Sequence, residues 1–378
     1  MTRLLAVAAL ASAMATADAQ LAFERIHITD RPFEAASAFD VDHDGNIDIV
    51  SGEYWYAGPD FVTEHKIGDV MRADEYYDDF SDYPMDVNGD GWLDTVTGGF
   101  WGNTLRWREN SKGDGEWPEH VVATVGAIER NCFYDIDSDG FQEVFPVTKP
   151  VRIFRLKRDA NGKGMGEFGE FDIAEEGGGG HGIGFGDING DGDPDIVFAS
   201  GWFEAPEDPY GPGWVWHPEF DLNWCASVPI LVHDVNEDGL ADIIVGQAHD
   251  YGLHWWEQGA ADGKRTWTKH VIDEGRSQYH DLQLADIDKD GAVELITGKR
   301  YRAHNDNDPG AHDPVGVYYF DIDKGAFTRH TVDYGPAGRA SGVGIYFWLE
   351  DVDGNGWLDI VAPGKEGLYL FRNLGPVK

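Results

Sequence analysis

Acidic and amide side chains recur along this chain at a spacing suited to calcium. The pattern D-x-[DN]-x-[DN]-G-x-x-[DE] occurs seven times, beginning at Asp40, Asp86, Asp135, Asp187, Asp234, Asp286 and Asp351. Calcium takes roughly six to eight oxygen ligands, and side chains at positions 1, 3, 5 and 9, with a backbone carbonyl at position 7, can surround the ion. Glycine at position 6 permits the sharp turn. Each repeat therefore predicts one calcium site.

The predicted calcium ligands are the four side chains at those positions in each repeat: Asp40, Asp42, Asp44, Asp48, Asp86, Asn88, Asp90, Asp94, Asp135, Asp137, Asp139, Glu143, Asp187, Asn189, Asp191, Asp195, Asp234, Asn236, Asp238, Asp242, Asp286, Asp288, Asp290, Glu294, Asp351, Asp353, Asn355 and Asp359. A helix–loop–helix calcium site is excluded, because it needs Glu at position 12, where the first three repeats have Ser51, Thr97 and Pro146. Seven divalent ions would change the formal net charge of -40 to about -26. We therefore expect these ions to be structural.

Histidines recur at a second place in the repeats. If each calcium turn joins the innermost strand of a unit to the next strand, the starts of the innermost strands and the ends of the second strands share the opposite face. His181 and His280 each lie six residues before the first Asp of a repeat, and His249 falls between them. Three imidazoles at one place could bind a transition metal or serve as acid and base. Isolated, hydrogen-bonded histidines are the alternative.

Cations and aromatic residues are expected on the same face, and they suit an anionic sugar. Elimination beside a uronate needs a cation for the carboxylate, a base for the acidified proton and an acid for the leaving oxygen. The candidate catalytic residues are His181, His280, Tyr301 and Arg300. The candidate substrate-binding residues are Arg130, Asn131, Trp101, Trp202, His249, Lys299 and Lys365.

A long insertion, residues 301–314 (YRAHNDNDPGAHDP), falls at the same face. Its histidines and aspartates could cover a ligand or hold a further metal, whereas an acidic flexible loop is the alternative.

Short strands must position all of these residues. A β-branched run such as IDIVSG follows each acidic loop, and alternating segments such as HGIGFGD precede them. A second recurring phrase (FVTEHKI, WPEHVV, FGEFDI, WTKHVI, FTRHTV) predicts an outer strand, so we expect its histidines to be structural: His27, His65, His120, His270 and His330. The last unit ends at GLYLFRN without this phrase, while FERIHI supplies it near the N-terminus. The first strand should therefore complete the last unit and close a ring.

These loops and strands resemble FG-GAP or VCBS repeats, the units of integrin-type propellers. The resemblance implies an all-β, seven-bladed β-propeller in a single domain over residues 20–378, with a calcium loop in each blade. The layout is also similar to the propellers of aldos-2-ulose dehydratases and rhamnose-glucuronate lyases, which implies kinship with carbohydrate lyases.

Composition restricts the partners of the protein. Residues 1–19 contain an early Arg3, an apolar run and an A-x-A pattern, which predict a signal peptide and a secreted or periplasmic protein. The net charge of -40 excludes nucleic acid and anionic membranes as expected partners. No further segment is long and apolar enough to span a membrane. Cys132 and Cys225 are too few for a disulfide framework, and their pairing stays open.

Two functions fit these features. One is a carbon–oxygen lyase or dehydratase that acts by β-elimination on an anionic or oxidised sugar. The other is a noncatalytic, calcium-stabilised propeller that binds a glycan or a protein. The concentration of His, Arg, Lys and Tyr at one face favours the enzyme.

Overall fold

A computed structural model describes residues 20–113, 115–174 and 176–377. The predicted signal peptide, residues 1–19, lies outside the described residues. Within them, nearly all regular structure is β-strand, with one 3₁₀ turn at His304–Asp306. None of the helical structure described is long and apolar enough to cross a membrane.

The strands form seven antiparallel units of four. The first strand of the chain is β1 (Leu21–Thr29). Unit 1 contains β2 (Ser37–Phe39), β3 (Asp48–Ser51), β4 (Tyr54–Tyr56) and β5 (Glu64–Lys66). A small hairpin follows, made of β6 (Arg72–Ala73) and β7 (Tyr76–Tyr77). Unit 2 contains β8 (Tyr83–Met85), β9 (Asp94–Gly98), β10 (Thr104–Arg108) and β11 (Glu119–Thr124). Unit 3 contains β12 (Asn131–Tyr134), β13 (Glu143–Pro146), β14 (Val151–Arg158) and β15 (Gly164–Ala174).

The later units repeat this order. Unit 4 contains β16 (Ile183–Gly186), β17 (Asp195–Phe198), β18 (Gly201–Glu204) and β19 (Val215–His217). Unit 5 contains β20 (Ile230–His233), β21 (Asp242–Gly246), β22 (Tyr251–Ala261) and β23 (Lys264–Ser277). Unit 6 contains β24 (Tyr279–Ala285), β25 (Glu294–Lys299), β26 (Val315–Asp323) and β27 (Ala326–Gly335). Unit 7 contains β28 (Trp348–Glu350), β29 (Asp359–Ala362), β30 (Leu368–Pro376) and, as its fourth strand, β1.

Strand pairing links the N-terminal and C-terminal ends of the described chain. As expected from the recurring phrase, β1 pairs antiparallel with β30, for example at Arg25 opposite Phe371. The first strands of neighbouring units lie side by side, and β16 and β20 form a parallel pair that joins units 4 and 5 into one sheet. The first strands are therefore the inner strands.

Apolar side chains fill the spaces between neighbouring units. Each of seven buried clusters combines residues of two consecutive units, and one of them joins units 7 and 1 through Leu370 and Ile49. This pattern follows from the alternation of the strands, which turns apolar residues toward both neighbouring sheets.

The outer-strand histidines lie against large aromatic residues of the third strand. His65 stacks on Trp55 with ring centroids 4.1 Å apart, and His270 stacks on Trp255 at 4.4 Å. The Nε2 atom of His270 also lies 2.8 Å from a Glu257 carboxylate oxygen. The same kind of contact recurs at His120, His217 and His330. These histidines therefore cover the aromatic core, which is the structural role expected of the phrase.

Candidate metal centre

The acidic loops all have the same backbone geometry. Glycine at position 6 has φ between 88° and 99° in all seven loops, where a side chain would be strained. In the first loop, the carboxylate of Asp40 accepts hydrogen bonds from the backbone N–H groups of Asp44 and Gly45. Ligand oxygens of Asp40, Asp42 and Asp48 lie within 4.8 Å of one another. The oxygen-rich donor set fits a calcium ion.

The acid at position 9 also anchors each loop. Its carboxylate accepts a hydrogen bond from the N–H of position 2 in every loop, as Asp94 does from Val87 at 2.9 Å. In unit 2 the second oxygen of Asp94 accepts from Asn110, which follows the third strand. Burial, reinforced by neighbouring loop carboxylates, raises the pKa of these seven acids to between about 6 and about 8. A cation in the loop would relieve this repulsion.

Four residues from units 3 to 6 meet at the inner-strand starts, opposite the acidic loops. Glu129 precedes β12, His181 precedes β16, His249 follows β21, and His280 is the second residue of β24. One ligand atom from each lies within 4.8 Å of the others. The structure therefore brings together the three histidines that repeat symmetry placed near one another.

The two closest imidazoles face each other through their acceptor atoms. The Nδ1 atom of His181 lies 2.7 Å from the carbonyl oxygen of Ala226, and Nδ1 of His249 lies 2.9 Å from Oδ2 of Asp308. Both partners are acceptors, so each Nδ1 carries a proton, and Nε2 is the atom that has a lone pair whenever the ring is neutral. The two Nε2 atoms are 2.8 Å apart. Two lone pairs at this distance need a proton or a metal ion between them.

The remaining two groups complete a metal-binding set. Oε1 of Glu129 lies 3.2 Å from Nε2 of His181 and 3.4 Å from Nε2 of His280. Nδ1 of His280 is buried without a hydrogen-bond partner among the residues described. Burial lowers the pKa of His249 to about 4 and holds the pKa of His280 well below its usual value. Neutral imidazoles beside a carboxylate are the ligands that zinc and similar transition metals prefer.

A cavity of about 210 Å³ opens beside this set. It is lined by Tyr76, Phe80, Phe100, Trp101, Glu129, His249, Arg300, Ala303, His304 and Asn305. The Trp101 ring centroid lies 5.0 Å from that of Tyr76 and 5.8 Å from that of Phe80. Phe100 and Trp101 keep 44% and 37% of their surface exposed. One wall of the cavity is therefore aromatic, and the other carries Glu129, His249 and the Arg300 guanidinium.

Arg300 is fixed at the cavity wall by a buried carboxylate. Its Nε donates to Oε1 of Glu34 at 2.8 Å, and Lys365 donates to Oε2 of the same residue at 2.8 Å. Burial by itself would raise the pKa of Glu34, but Arg300 and Lys365 outweigh it and lower the pKa to about 2. The three groups together carry one net positive charge, and the carboxylate of Glu129 on the same lining carries the opposite charge. A cation held by Glu129 would leave this wall positive, which favours an anionic ligand.

Several predicted substrate-binding residues are buried and held by the protein itself. Trp202 is 1% exposed and stacks on His217, so the prediction that it contacts a sugar is wrong. Asn131 is fully buried, and its Nδ2 donates to Ser81. Lys299 is 1% exposed, and its Nζ donates to Gln278.

Other predicted residues lie near the centre in different roles. Arg130 pairs with buried Asp281 and lies over the Tyr346 ring, which corrects its assignment to the substrate. Lys365 acts on the site through Glu34. Tyr301 is partly exposed but does not belong to the cavity lining. Cys132 and Cys225 are both buried free thiols.

Glu129 is the member of this cluster that the sequence analysis did not predict. It immediately precedes Arg130, one of the predicted substrate-binding residues. An acid among cations at that face was the signal that could have identified it.

Comparisons with known proteins agree with this architecture. A model of the FG-GAP-like repeat matches residues 86–145 and 234–297. A crystal structure of BBS1N in complex with ARL6DN, soaked with lead, is similar over 94% of this chain and 98% of that chain, with 12% identity and a TM-score of 0.53. The chain is thus an all-β protein with FG-GAP-like repeats and a β-propeller fold.

Two further structures have lower TM-scores, with slightly higher sequence identities. An Agrocybe aegerita lectin that recognises non-reducing terminal N-acetylglucosamine has 17% identity and a TM-score of 0.47, with 94% of each chain covered. The rhamnogalacturonan lyase YesW has 14% identity and a TM-score of 0.46, with 94% of this chain and 75% of that chain covered. No curated protein sequence matches significantly.

Proposed function

We propose that the seven units are the blades of a closed propeller and that each acidic loop holds a structural calcium ion. The contacts between all consecutive units, including units 7 and 1, support closure. The shared loop geometry and the converging carboxylates support calcium.

Calcium removal is expected to lower the melting temperature. An ion that binds only the folded protein adds about 3 kcal/mol of stability per site at roughly 100 times its Kd. Asp187→Asn, at position 1 of the unit 4 loop, where all seven loops have Asp, should weaken this stabilisation, whereas Asp193→Asn should not. Asp193 is exposed and occupies position 7, where calcium binds the backbone carbonyl. Thermal unfolding with EDTA and with added calcium measures both effects, and equal behaviour of the two variants would contradict the assignment.

At the opposite face, we infer an exported, metal-dependent carbon–oxygen lyase or dehydratase that acts on an anionic or oxidised sugar by β-elimination. The observation that carries this inference is the pair of Nε2 atoms 2.8 Å apart beside Glu129, at the edge of a cavity that also contains Arg300.

Each wall of the cavity has a part in such a reaction. The exposed face of Trp101 or Phe100 can stack on the apolar face of a sugar ring. Arg300 can bind the sugar carboxylate and withdraw charge from the neighbouring C–H bond. His181, His249, His280 and Glu129 would hold the metal ion. When bound, the ion supplies Lewis acidity toward a sugar oxygen.

The cavity volume restricts the ligand. About 210 Å³ is small compared with typical ligand pockets of roughly 300–1,000 Å³. We therefore expect one sugar residue to occupy the cavity, either a monosaccharide or a chain end.

Incubation with uronate-containing oligosaccharides tests the function. We expect unsaturated products, detected by ultraviolet absorbance, and at least about a 100-fold lower rate for His280→Ala because a ligand of the metal is lost. His330→Ala, on the outer strand of the same unit, is the matched control and should retain the rate. Retention of glycans on an affinity gel without turnover on a broad panel would instead favour the noncatalytic binding propeller.

A further inference from the structure

The insertion between β25 and β26 reaches the histidine cluster through one carboxylate. Oδ2 of Asp308 lies 2.9 Å from Nδ1 of His249, while Oδ1 lies 2.8 Å from Nδ1 of His304. The ring centroids of His249 and His304 are 4.2 Å apart. Asp308 therefore orients two imidazoles that differ in their surroundings.

His304 is the histidine that faces the cavity with an available nitrogen. Because Asp308 accepts its Nδ1–H, the neutral ring has its lone pair on Nε2. Its side chain is 54% exposed and belongs to the cavity lining. By contrast, Nε2 of His181 and Nε2 of His249 point at each other. If these two lone pairs bind the proposed metal ion, they cannot also accept a proton, and the base must then be another group.

The backbone holds His304 in a costly conformation. His304, Asn305 and Asp306 have φ values of 46°, 52° and 67°. Residues other than glycine seldom adopt this region, and such strain often occurs where function requires a fixed side chain.

We propose that His304 is the general base of the elimination, with Asp308 as its positioning residue; this proposal rests on the proposed function. Nε2 of His304 takes the proton from the carbon next to the sugar carboxylate. The electrons of that C–H bond form the carbon–carbon double bond, and the β C–O bond breaks with its pair on oxygen. The leaving oxygen then takes the proton back from the imidazolium, which restores neutral His304.

His304→Gln tests this role. We expect kcat to fall by about 100- to 10,000-fold, with KM and bound zinc close to those of the unchanged protein. Added imidazole should restore part of the rate, which a purely structural defect would not allow. His312→Gln is the matched control, because His312 lies in the same insertion with its side chain 69% exposed.

Asp308→Asn tests whether Asp308 supports both metal binding through His249 and catalysis through His304. Because Asp308 also orients His249, this variant should lower zinc affinity by about 10- to 100-fold as well as the rate. If His304→Gln keeps more than half of the kcat, the assignment of the base is wrong although the lyase remains. If the unchanged protein gives no elimination and no exchange of the substrate C–H with deuterated water, the proposed lyase function is wrong. The assignment of His304 as the base is then wrong as well.

Discussion

His249→Ala is expected to lower the affinity of the protein for Zn²⁺ by at least about 100-fold, since it removes a ligand rather than a supporting contact. Its Nε2 lies 2.8 Å from Nε2 of His181, and its Nδ1 is already held by Asp308. Titration with Zn²⁺ after chelation, with metal analysis that resolves zinc from calcium, measures the change. The unchanged protein should bind about one zinc ion per chain at this centre.

His270→Ala is the matched control for that experiment. His270 belongs to the same unit, but it stacks on Trp255 and contacts Glu257 on the outer strand. It should leave zinc binding intact, and thermal unfolding will report whether either variant is misfolded. Equal zinc affinity of folded His249→Ala and folded His270→Ala would contradict the proposed metal centre.

Glu34→Gln is expected to destabilise the protein by about 3 kcal/mol at neutral pH. Glu34 is buried between Arg300 and Lys365, and its pKa is lowered to about 2 from 4.5. A shift of this size corresponds to about 3 kcal/mol. The substitution leaves two buried cations without their carboxylate, which has a cost of the same order.

The pH dependence has a definite sign. Because the folded pKa of Glu34 lies below the unfolded value, its stabilisation is present above about pH 4.5 and is lost as the pH falls toward 2. Urea unfolding should therefore show a large difference in the free energy of unfolding between the unchanged protein and Glu34→Gln at pH 7, and a small difference near pH 2. Glu64→Gln is the control, because Glu64 pairs with Arg31 at the surface and should change stability by less than about 1 kcal/mol. Equal effects of the two substitutions would show that the buried network contributes little.

Local sequence determined the repeated frame. Oxygen-bearing side chains at alternate positions around a required glycine define the acidic turn within nine residues. The neighbouring strands follow from alternation and β-branched runs, and FERIHI was enough to predict that β1 pairs with β30. These features depend on neighbours in the sequence, so one chain with seven copies reveals them.

Repeat symmetry also predicted part of the candidate metal centre. Equal spacing from the acidic loops placed His181 and His280 at equivalent inner-strand starts, and the structure brings both to Glu129. The same argument failed for Trp202, because the symmetry of strand ends does not state which side of the sheet a residue faces. In the fold, His217 covers that ring.

Only the tertiary structure decided the composition of the candidate centre and its charges. Glu129, His249 and Asp308 lie on different units or insertions, and no local pattern sets the distances between their side chains. The roles of the cations were likewise decided by burial: Arg130 pairs with Asp281, whereas Arg300 is held by Glu34 at the cavity wall. The sequence by itself determined that the candidate site lies on the face opposite the acidic loops, because the residues that form those turns are close together in the sequence. Which residues on that face can bind a ligand depended on side chains from several units packing against one another.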